Sequence, residues 1–420
     1  MRNRFTFVAS CLSFLAAGLG AGLPVGGCTS SNPQQVTDLA MTLDMSVSVD
    51  LATPPDQTVL PPDLVPGCGF GQTLTAGSCA CDAAHPTLCT GNVYCCGGTQ
   101  TCLPTAGPRG ETRCSGPSVR ESPALGYDQV RNNLILRTGT CLDGGQNPIL
   151  CTDQWTLGQV TWDVQQPTTV ITPRLGSTMA WLPSKQQLLL FGGQTILNNA
   201  GSVVNDLYTW TGTDWSKLAP ATSPSARTYS AMAYDAGRQV MVLFGGTDRT
   251  DTAQSDTWEY NGTTWKLLAP ATEPNAREGH GMVYDPGTKR IVIHGGLVAG
   301  AYDRDTWAYD GNDWTQVPTN NTMAVHGYFA MAYDPGRNVT VLYGGENTLA
   351  GNTVVLGETW EFNGTTWAQK TPAVTPGKRT KAAMAYDQGR KQMVLFGGNN
   401  GTTLLKDAWT WNGTTWTQIY

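Results

Sequence analysis

Six cationic side chains recur along the chain from Arg120 onward, each about 50 residues after the previous one. Arginine presents a planar fork of donors that binds a carboxylate or a sulfate through two hydrogen bonds. A ring of such side chains around one axis would therefore capture a carboxylate, a sulfate or an acidic sugar. The series comprises Arg120, Arg174, Arg227, Arg277, His326 and Arg379.

An acidic residue follows each cation within the same repeat, and it offers a structural interpretation of the series. A cation and an anion that both recur in every repeat are expected to form a repeated ion pair that locks the scaffold, whereas a single asymmetric site does not require such repetition. We favour the structural interpretation. The acids are Asp153, Asp206, Asp256, Asp305, Glu358 and Asp407.

The departures from the repeated pattern are the positions that best indicate ligand binding. His326 replaces arginine in the fifth repeat, and His280 and Phe329 occupy a position that is small in other repeats. We expect any ligand to contact the fourth and fifth repeats. The candidate binding residues are Arg227, Arg277, His280, His326, Phe329 and Arg379.

Glycine and hydrophobic residues follow the same period. A small-residue strand ends in Tyr-Asp, a hydrophobic strand ends in Gly-Gly, and two aromatic residues then bracket a turn. Four strands in about 50 residues are typical of the blades of a propeller. One unit contains Ala226-Arg-Thr-Tyr-Ser-Ala-Met-Ala-Tyr-Asp235, Val240-Met-Val-Leu-Phe-Gly-Gly246 and Asp256-Thr-Trp-Glu-Tyr-Asn-Gly-Thr-Thr-Trp265.

On these motifs, the chain from about Arg120 to Tyr420 resembles the kelch-repeat β-propellers, whose repeats also form the central domain of galactose oxidase. The resemblance implies an all-β fold with six four-stranded blades over residues 117–420. It implies no single activity, since such propellers include enzymes, scaffolds and ligand-binding domains. The first repeat has Leu134-Ile-Leu-Arg-Thr-Gly139 in place of the double glycine, so we expect an irregular first blade.

The aromatic pairs predict a hairpin register. If Asn261-Gly262 is a two-residue type I′ turn, Trp258 lies opposite Trp265. The same spacing holds in all six repeats, and we interpret these aromatic residues as packing within blades and not as sugar-stacking platforms. The other predicted pairs are Trp155–Trp162, Tyr208–Trp215, Trp307–Trp314, Trp360–Trp367 and Trp409–Trp416.

The strand order predicts where binding loops lie. We name the strands of each blade A to D. Tight turns join A to B and C to D at one end, so the longer B–C and D–A connections share the opposite end, which we call the loop face. Loops on a rigid scaffold commonly hold binding residues. The predicted B–C connections are 140–152, 194–205, 247–255, 297–304, 346–357 and 399–406.

Residues 1–27 resemble a lipoprotein signal peptide. Arg2 and Arg4 precede an apolar stretch over 5–23, and Val25-Gly26-Gly27-Cys28 resembles a lipobox, in which Cys28 is acylated and becomes the first mature residue. The following Thr29 resembles the pattern of outer-membrane lipoproteins. An ordinary secretory signal peptide is the alternative. The lipobox predicts an outer-membrane lipoprotein of the cell envelope, either periplasmic or surface-exposed, whereas the alternative predicts a secreted protein. The lipid is the only membrane attachment we expect.

The composition of residues 28–66 predicts a disordered tether. This segment combines spaced aspartates and prolines with too few apolar groups to form a core. Residues 67–116 form a cysteine-dense module. In an exported chain these cysteines favour disulfides over a metal site, and the pairing is open. Cys141 and Cys151 are expected to close a loop in the first blade. The module contains Cys68, Cys79, Cys81, Cys89, Cys95, Cys96, Cys102 and Cys114.

Composition narrows the function. Charged residues make up 14% of the chain, the net charge is −6, and no lysine or arginine cluster appears, so we do not expect nucleic acid as a partner. A copper site like that of galactose oxidase requires two histidines and a cysteine near tyrosine, and no cysteine follows Cys151. We therefore predict no metal, cofactor or catalytic residue. The expected function is binding or scaffolding of a protein or glycan. The alternative is a carbohydrate-active enzyme, of the sugar-epimerase kind or, less favoured, of the copper-oxidase kind.

Overall fold

The computed structural model describes residues 116–158, 161–319, 323–324 and 326–420. It also describes the backbone of two short strand pairs before them, Gln72–Thr75 with Ser78–Cys81 and Cys102–Leu103 with Arg113–Cys114. The predicted signal peptide, Cys28 and the tether lie outside the described residues, as do the side chains of the eight cysteines from Cys68 to Cys114. In the described part, no helix is long and apolar enough to cross a membrane.

The chain from residue 124 onward forms six antiparallel sheets of four strands in the order A-B-C-D. This confirms the predicted all-β, six-bladed propeller. The A strands are Ala124–Asp128, Thr178–Leu182, Ala231–Asp235, Gly281–Asp285, Ala330–Asp334 and Ala383–Asp387. The B strands are Asn133–Arg137, Gln187–Phe191, Val240–Phe244, Arg290–His294, Val339–Tyr343 and Gln392–Phe396. The C strands are Gln154–Leu157, Leu207–Trp210, Thr257–Tyr260, Thr306–Tyr309, Thr359–Phe362 and Ala408–Trp411. The D strands are Trp162–Gln165, Trp215–Leu218, Trp265–Leu267, Trp314–Val317, Trp367–Lys370 and Trp416–Gln418.

The hydrophobic core lies between blades. The A strands of successive blades pack against each other around the axis, and the A strand of blade 6 packs against that of blade 1. Between blades 2 and 3, Phe191 packs with Met232, Leu243 and Trp265, all nearly inaccessible to solvent. Both faces of each B strand are therefore buried, which explains why the B strands are almost continuous hydrophobic runs.

The double glycine after strand B allows the next blade to approach. In blade 3, Gly245 and Gly246 have φ angles of +65° and +92°. A Cβ atom on Gly245 would lie 2.6 Å from the carbonyl oxygen of Arg277 in blade 4. The Gly246 N–H donates to the same oxygen at 2.9 Å. Only glycine meets both requirements without strain, so the repeated pair encodes contact between blades.

The first blade is regular, which corrects the expectation drawn from its missing double glycine. Its four strands pair as in the other blades. Thr138 adopts a φ angle of +65°, as the first glycine does elsewhere, and the Gly139 N–H donates to the carbonyl of Arg174 at 2.8 Å. The backbone bond to the next blade is retained, and the cost is one threonine in a left-handed conformation.

The predicted aromatic register is wrong by two residues in every blade. In blade 3, Tyr260 lies opposite Trp265, and Trp258 lies opposite Leu267. The turn contains four residues, and the side-chain oxygen of Asn261 accepts hydrogen bonds from the N–H groups of Thr263 and Thr264, both at 2.9 Å. This side-chain-capped turn replaces the assumed two-residue type I′ turn. A shift of two keeps each aromatic ring on its original face.

The D-strand tryptophans connect neighbouring blades. The indole N–H of Trp314 donates to the hydroxyl of Thr257 in the preceding blade at 2.9 Å. Trp367 donates in the same way to Thr306 at 3.1 Å. The pattern supports the packing interpretation of the aromatic residues. The remaining bonds of this kind join Trp215 to Gln154 and Trp416 to Thr359.

The loop face is uneven because three B–C connections contain extra hairpins. They lie in blades 1, 4 and 5, and the hairpins of blades 4 and 5 contact each other. In blade 2 the same connection contains a short 3-10 turn at Ala200–Ser202. The hairpin strands are Thr140–Leu142 with Pro148–Leu150, Leu297–Val298 with Ala301–Tyr302, and Glu346–Leu349 with Asn352–Val355.

Candidate functional site

The repeated arginines are buried and form ion pairs. In blade 4, Arg277 is fully buried; its Nη1 atom donates to Asp305 Oδ1 at 2.6 Å and to the Gly295 carbonyl at 2.9 Å. Its Nη2 atom donates to Asp305 Oδ2 at 3.1 Å, and its Nε atom donates to the Asn275 carbonyl at 3.1 Å. Burial opposes ionisation of Asp305, but the hydrogen bonds and charge of Arg277 outweigh it and lower the pKa of this carboxyl.

The same pairs occur in the other arginine-containing blades. Arg227 binds Asp256 through two bonds of 2.5 and 2.8 Å, and Arg379 binds Asp407 through two bonds of 2.8 and 2.9 Å. The structure thus contains the ion pairs that the structural interpretation predicts. The donors of Arg227 and Arg379 are already used within the blade, and all the repeated arginines are buried, so they present little surface to a ligand. The pairs in blades 1 and 2 are Arg120–Asp153 and Arg174–Asp206.

Blade 5 lacks the strong ion pair. His326 is fully buried, its Nδ1 atom lies 2.5 Å from the Ala324 carbonyl, and its Nε2 atom lies 3.8 Å from Glu358. Burial lowers the pKa of His326. Phe329 is also buried and lies beside the rings of His326 and His294. These two candidate residues belong to the wall between blades 4 and 5.

His280 lies in the equivalent wall between blades 3 and 4. Its side chain is 7% exposed and packs edge-on against Phe244 with 5.6 Å between ring centres. Burial and the nearby Arg277 charge lower its pKa to about 3, so the ring is neutral at physiological pH. The structure therefore places all six candidate binding residues inside the scaffold, close behind the loop face.

Cys141 and Cys151 form a disulfide with 5.4 Å between their Cα atoms. Together with Asp153 they are the one group of potential metal ligands found among the described residues. Both sulfur atoms are already bonded to each other, so this group offers no thiolate to a metal.

A ring of backbone hydrogen bonds surrounds the axis at the loop face. The second residue after each cation adopts a left-handed conformation, as in Tyr229, Tyr328 and Lys381, with φ angles of 53°, 53° and 55°. The Tyr328 N–H donates to the Gly279 carbonyl at 2.7 Å, and the Lys381 N–H donates to the Tyr328 carbonyl at 2.7 Å. Such a conformation is strained for a bulky side chain, and two blades use glycine instead.

The side chains around this ring form the candidate site, which we call the mouth cluster. All of them are half-buried at the axial end of the loop face. Most of them precede strand A, whereas Tyr302 and Glu346 lie on the B–C hairpins of blades 4 and 5. The mouth cluster consists of Glu121, Tyr229, Glu278, Tyr302, Tyr328, Glu346 and Lys381.

The three tyrosines of the mouth cluster contact one another and two of the glutamates. The rings of Tyr229 and Tyr328 meet edge-on with 5.1 Å between centres. The Tyr302 hydroxyl donates to Glu346 at 2.6 Å, and the Tyr328 hydroxyl bonds to Glu278. Burial and these carboxylates raise the pKa values of Tyr302 and Tyr328, so both remain protonated donors.

Lys381 is the single cation of the mouth cluster. Its ammonium group lies 5.6 Å from the ring centre of Tyr328 and forms no hydrogen bond or ion pair with the described residues. Burial opposes its charge, but Tyr229, Glu121, Glu346 and the other nearby glutamate outweigh that effect and raise its pKa. The ammonium donors are therefore charged and available to a ligand.

Sequence reasoning missed the mouth cluster because it followed the cations themselves. The relevant position is two residues later, where the repeats differ most. Two repeats have glycine there and three have Tyr229, Tyr328 and Lys381, so the variation was visible in the aligned repeats. The inward direction of these side chains depends on a left-handed backbone that the sequence does not reveal.

Comparisons with known proteins agree with the fold. The model of the KLHDC2/KLHL20/DRC7 Kelch-repeats domain matches residues 128–322 and 176–368, which together span more than half of the chain. The chain is also similar in fold to a solved structure titled "Structure of YjhT", with a TM-score of 0.56 and 12% sequence identity, over 72% of this chain and 98% of that one. No curated protein matches the sequence.

Six blades with a Gly-Gly contact at five of the B strands, buried arginine ion pairs and the family-model match all describe one architecture. A binding or scaffolding role is compatible with it. The chain belongs to the kelch-repeat β-propeller family.

Proposed function

We propose that this protein is an exported, lipid-anchored binding module that holds a glycan or protein ligand against its loop face. The observation on which this rests is the mouth cluster, where Tyr229 and Tyr328 occupy strained positions at the axis and Lys381 has free donors. Strained bulky residues that the fold does not require are typical of functional sites. Their neighbours Glu278 and Glu346 supply polar groups beside the aromatic rings.

The glycan version of the proposal is supported by this chemistry. A half-buried tyrosine ring can pack against a sugar ring. The carboxylates beside it can accept hydrogen bonds from the sugar hydroxyl groups. The neighbouring hairpins of blades 4 and 5 form one side of the site through the Tyr302–Glu346 hydrogen bond.

A protein ligand is the second candidate, and apolar residues of the B–C connections favour it. Leu349 at the tip of the blade 5 hairpin is 67% exposed, and Ile196 in blade 2 is 56% exposed. Exposed apolar side chains on the loop face offer surface that a protein partner can cover. Kelch propellers also generally mediate protein interactions.

Lipid anchoring would place this site in the cell envelope. The sequence Val25-Gly26-Gly27-Cys28 supports acylation of Cys28, and residues 29–66 would hold the propeller away from the bilayer. Mass spectrometry of the purified chain should find Cys28 as the N-terminal residue with a diacylglyceryl group on its sulfur, and Cys28→Ser should release the protein from membranes. An unmodified N-terminus at another position would contradict the anchor.

The binding proposal is tested with the full chain, solubilised in detergent. It is applied to a glycan array. Separately, it is immobilised and cross-linked to the cell-envelope proteins that it captures. We expect a specific ligand that is lost from Tyr328→Ala or from Leu349→Asp. Tyr333→Ala is the matched control, because Tyr333 lies in the same blade at the opposite end of strand A, where its hydroxyl donates to Asn338 at 3.3 Å. Equal capture by all variants would contradict a loop-face site.

A further inference from the structure

The axial positions of the loop face differ chemically although their backbones are equivalent. The Tyr229 N–H donates to the Gly176 carbonyl at 2.8 Å, and the Ser122 N–H donates to the Lys381 carbonyl at 2.7 Å. These bonds are made by the backbone whatever the side chain. The tyrosines and the lysine are therefore additions to an architecture that glycine already satisfies in blades 2 and 4.

Each tyrosine ring of the mouth cluster packs over a glycine. A Cβ atom on Gly279 would lie 2.7 Å from the ring of Tyr328, and one on Gly327 would lie 2.5 Å from the ring of Tyr302. Similarly, a Cβ atom on Gly176 would lie 3.2 Å from the ring of Tyr229. The glycines position the rings against backbone, and this support limits their conformational freedom before any ligand arrives.

The carboxylates of the mouth cluster retain acceptor capacity. Glu121 accepts one hydrogen bond from Asn399 at 3.0 Å, and Glu346 accepts one from Tyr302 at 2.6 Å. Glu278 accepts from Thr247 and from Tyr328. An ionised carboxylate has about four acceptor positions, so each of the three can accept more hydrogen bonds.

The charge of the mouth cluster limits what can bind. Three carboxylates and one ammonium group give a net charge of −2. An anionic ligand would face a net repulsion in a partly dehydrated site. A ligand with several hydroxyl donors, a few acceptors and an apolar ring face matches the spare acceptors, the free Lys381 donors and the tyrosine rings.

We infer that the mouth cluster binds an uncharged sugar ring and discriminates against sugars with acidic substituents. This deepens the glycan version of the proposed function and rests on it. Sugar hydroxyls donate to Glu121, Glu278 and Glu346, a ring or hydroxyl oxygen accepts from Lys381, and a tyrosine ring packs on the C–H face of the sugar. An exposed ring of arginines would instead prefer acidic sugars. The arginines are buried behind the site, so they do not set its selectivity.

Titration of the full chain in detergent with defined probes tests the inference. The neutral probes are the methyl glycosides of glucose, galactose, mannose and N-acetylglucosamine, and the acidic probes are glucuronic acid and N-acetylneuraminic acid. We expect at least one neutral glycoside to bind about tenfold more tightly than either acid. Tyr328→Ala should weaken it about tenfold or more, and Tyr333→Ala should not.

A charge variant separates recognition from folding. Glu278→Gln with Glu346→Gln keeps the side-chain shape and changes the net charge of the mouth cluster from −2 to 0. The ratio of neutral to acidic affinity should then fall about tenfold, a change that a purely structural role would not produce. Urea denaturation of the variant checks that it remains folded.

The remaining outcomes overturn the inference in distinguishable ways. Preference for an acidic sugar, or binding of spermidine but no glycoside, assigns the mouth cluster a different chemistry. If no glycoside binds while a protein partner is still captured on the loop face, the sugar inference fails and the proposed function stands. If neither class binds, both fail.

Discussion

His280 is a buried polar residue at a position where another blade has a hydrophobic one. Neither ring nitrogen has a hydrogen-bond partner among the described residues. The same position in blade 5 contains Phe329, which is similarly buried. A buried polar group without a partner costs about 1–3 kcal/mol relative to an apolar group of the same shape. The histidine is therefore unfavourable for stability as the structure stands.

We predict that His280→Phe increases the free energy of unfolding, and that the increase grows as the pH falls. The folded-state pKa of about 3 lies below the unfolded value of about 6.5, so protons bind preferentially to the unfolded chain between these values. The free energy of unfolding of the wild type therefore has its full value above pH 7. It falls as the pH drops below 6.5. Between pH 7 and pH 5 the variant should gain roughly 2 kcal/mol over the wild type, measured by urea denaturation at both values.

His294→Phe is the control for this prediction. Burial also lowers the pKa of His294 to about 3, but its Nδ1 atom lies 2.9 Å from the Thr306 hydroxyl. Phenylalanine occupies its position in three other blades, including Phe244. This variant should show the same pH-dependent gain without the gain at pH 7, since it loses a hydrogen bond. A pH-independent difference for His280→Phe would show that the folded protein protonates this ring as readily as the unfolded chain does.

Among the elements, the C–D hairpin shows how far the sequence determines local structure. The spacing of aromatic residues correctly predicts a hairpin and its buried face, because strand side chains alternate with a period of two. It does not determine register, since a four-residue turn capped by Asn261 and a two-residue turn fit the same residues. The pair is Trp411 with Trp416 in blade 6, and the rings lie 5.2 Å apart.

The register predicts different costs for two neighbouring tryptophans. Trp411 is 1% exposed and donates to Glu361 of blade 5 at 3.0 Å, whereas Trp409 is half-buried and donates to Asp407 at 2.6 Å. We expect Trp411→Leu to lower the free energy of unfolding by about 3 kcal/mol and Trp409→Leu by about 1 kcal/mol. Guanidinium denaturation measures both. The two-residue turn would instead pair Trp409 with Trp416, so a larger loss from Trp409→Leu would support it.

At the candidate site, too, the sequence predicts local pairing but not the packing between blades. The repeated Arg-Asp pattern was sufficient to predict ion pairs, because repetition itself indicates a structural role. It could not reveal that Arg277 and Arg379 are buried, which depends on contacts between blades such as the bond from the Arg277 N–H to the Gln254 carbonyl at 3.2 Å. Nor could it show that Tyr229 and Tyr328 converge, since they are about 100 residues apart and meet only when the ring closes.

At the scale of the whole molecule, the ring closes without sharing a strand between the first and last repeats. Blade 1 and blade 6 each take all four strands from their own repeat. The junction is made by backbone bonds such as Arg120 N–H to the Leu405 carbonyl at 2.9 Å, and by a side-chain core. The sequence period predicts the number of blades. It does not predict whether the first and last blades share a strand.

The closing junction lacks one bond that most other junctions contain. In three blades the D-strand tryptophan donates to a threonine at the start of the preceding C strand, as Trp416 does to Thr359 at 2.9 Å. Blade 6 has Ala408 at that position, and the indole nitrogen of Trp162 is buried without a partner among the described residues. Leu207 occupies this position in blade 2, and the indole nitrogen of Trp265 in blade 3 is likewise buried without a partner among the described residues.

Ala408→Thr should therefore strengthen the closure. The new hydroxyl would accept the hydrogen bond of Trp162, and Ala408→Val supplies the same shape without the acceptor. We expect the threonine variant to be about 1 kcal/mol more stable than the valine variant in urea denaturation. Comparing the two variants removes the unknown cost of adding volume at a fully buried alanine. If valine proves equal or better, the tryptophan N–H is satisfied in another way, and the backbone bonds and packing between blades 6 and 1 close the ring without it.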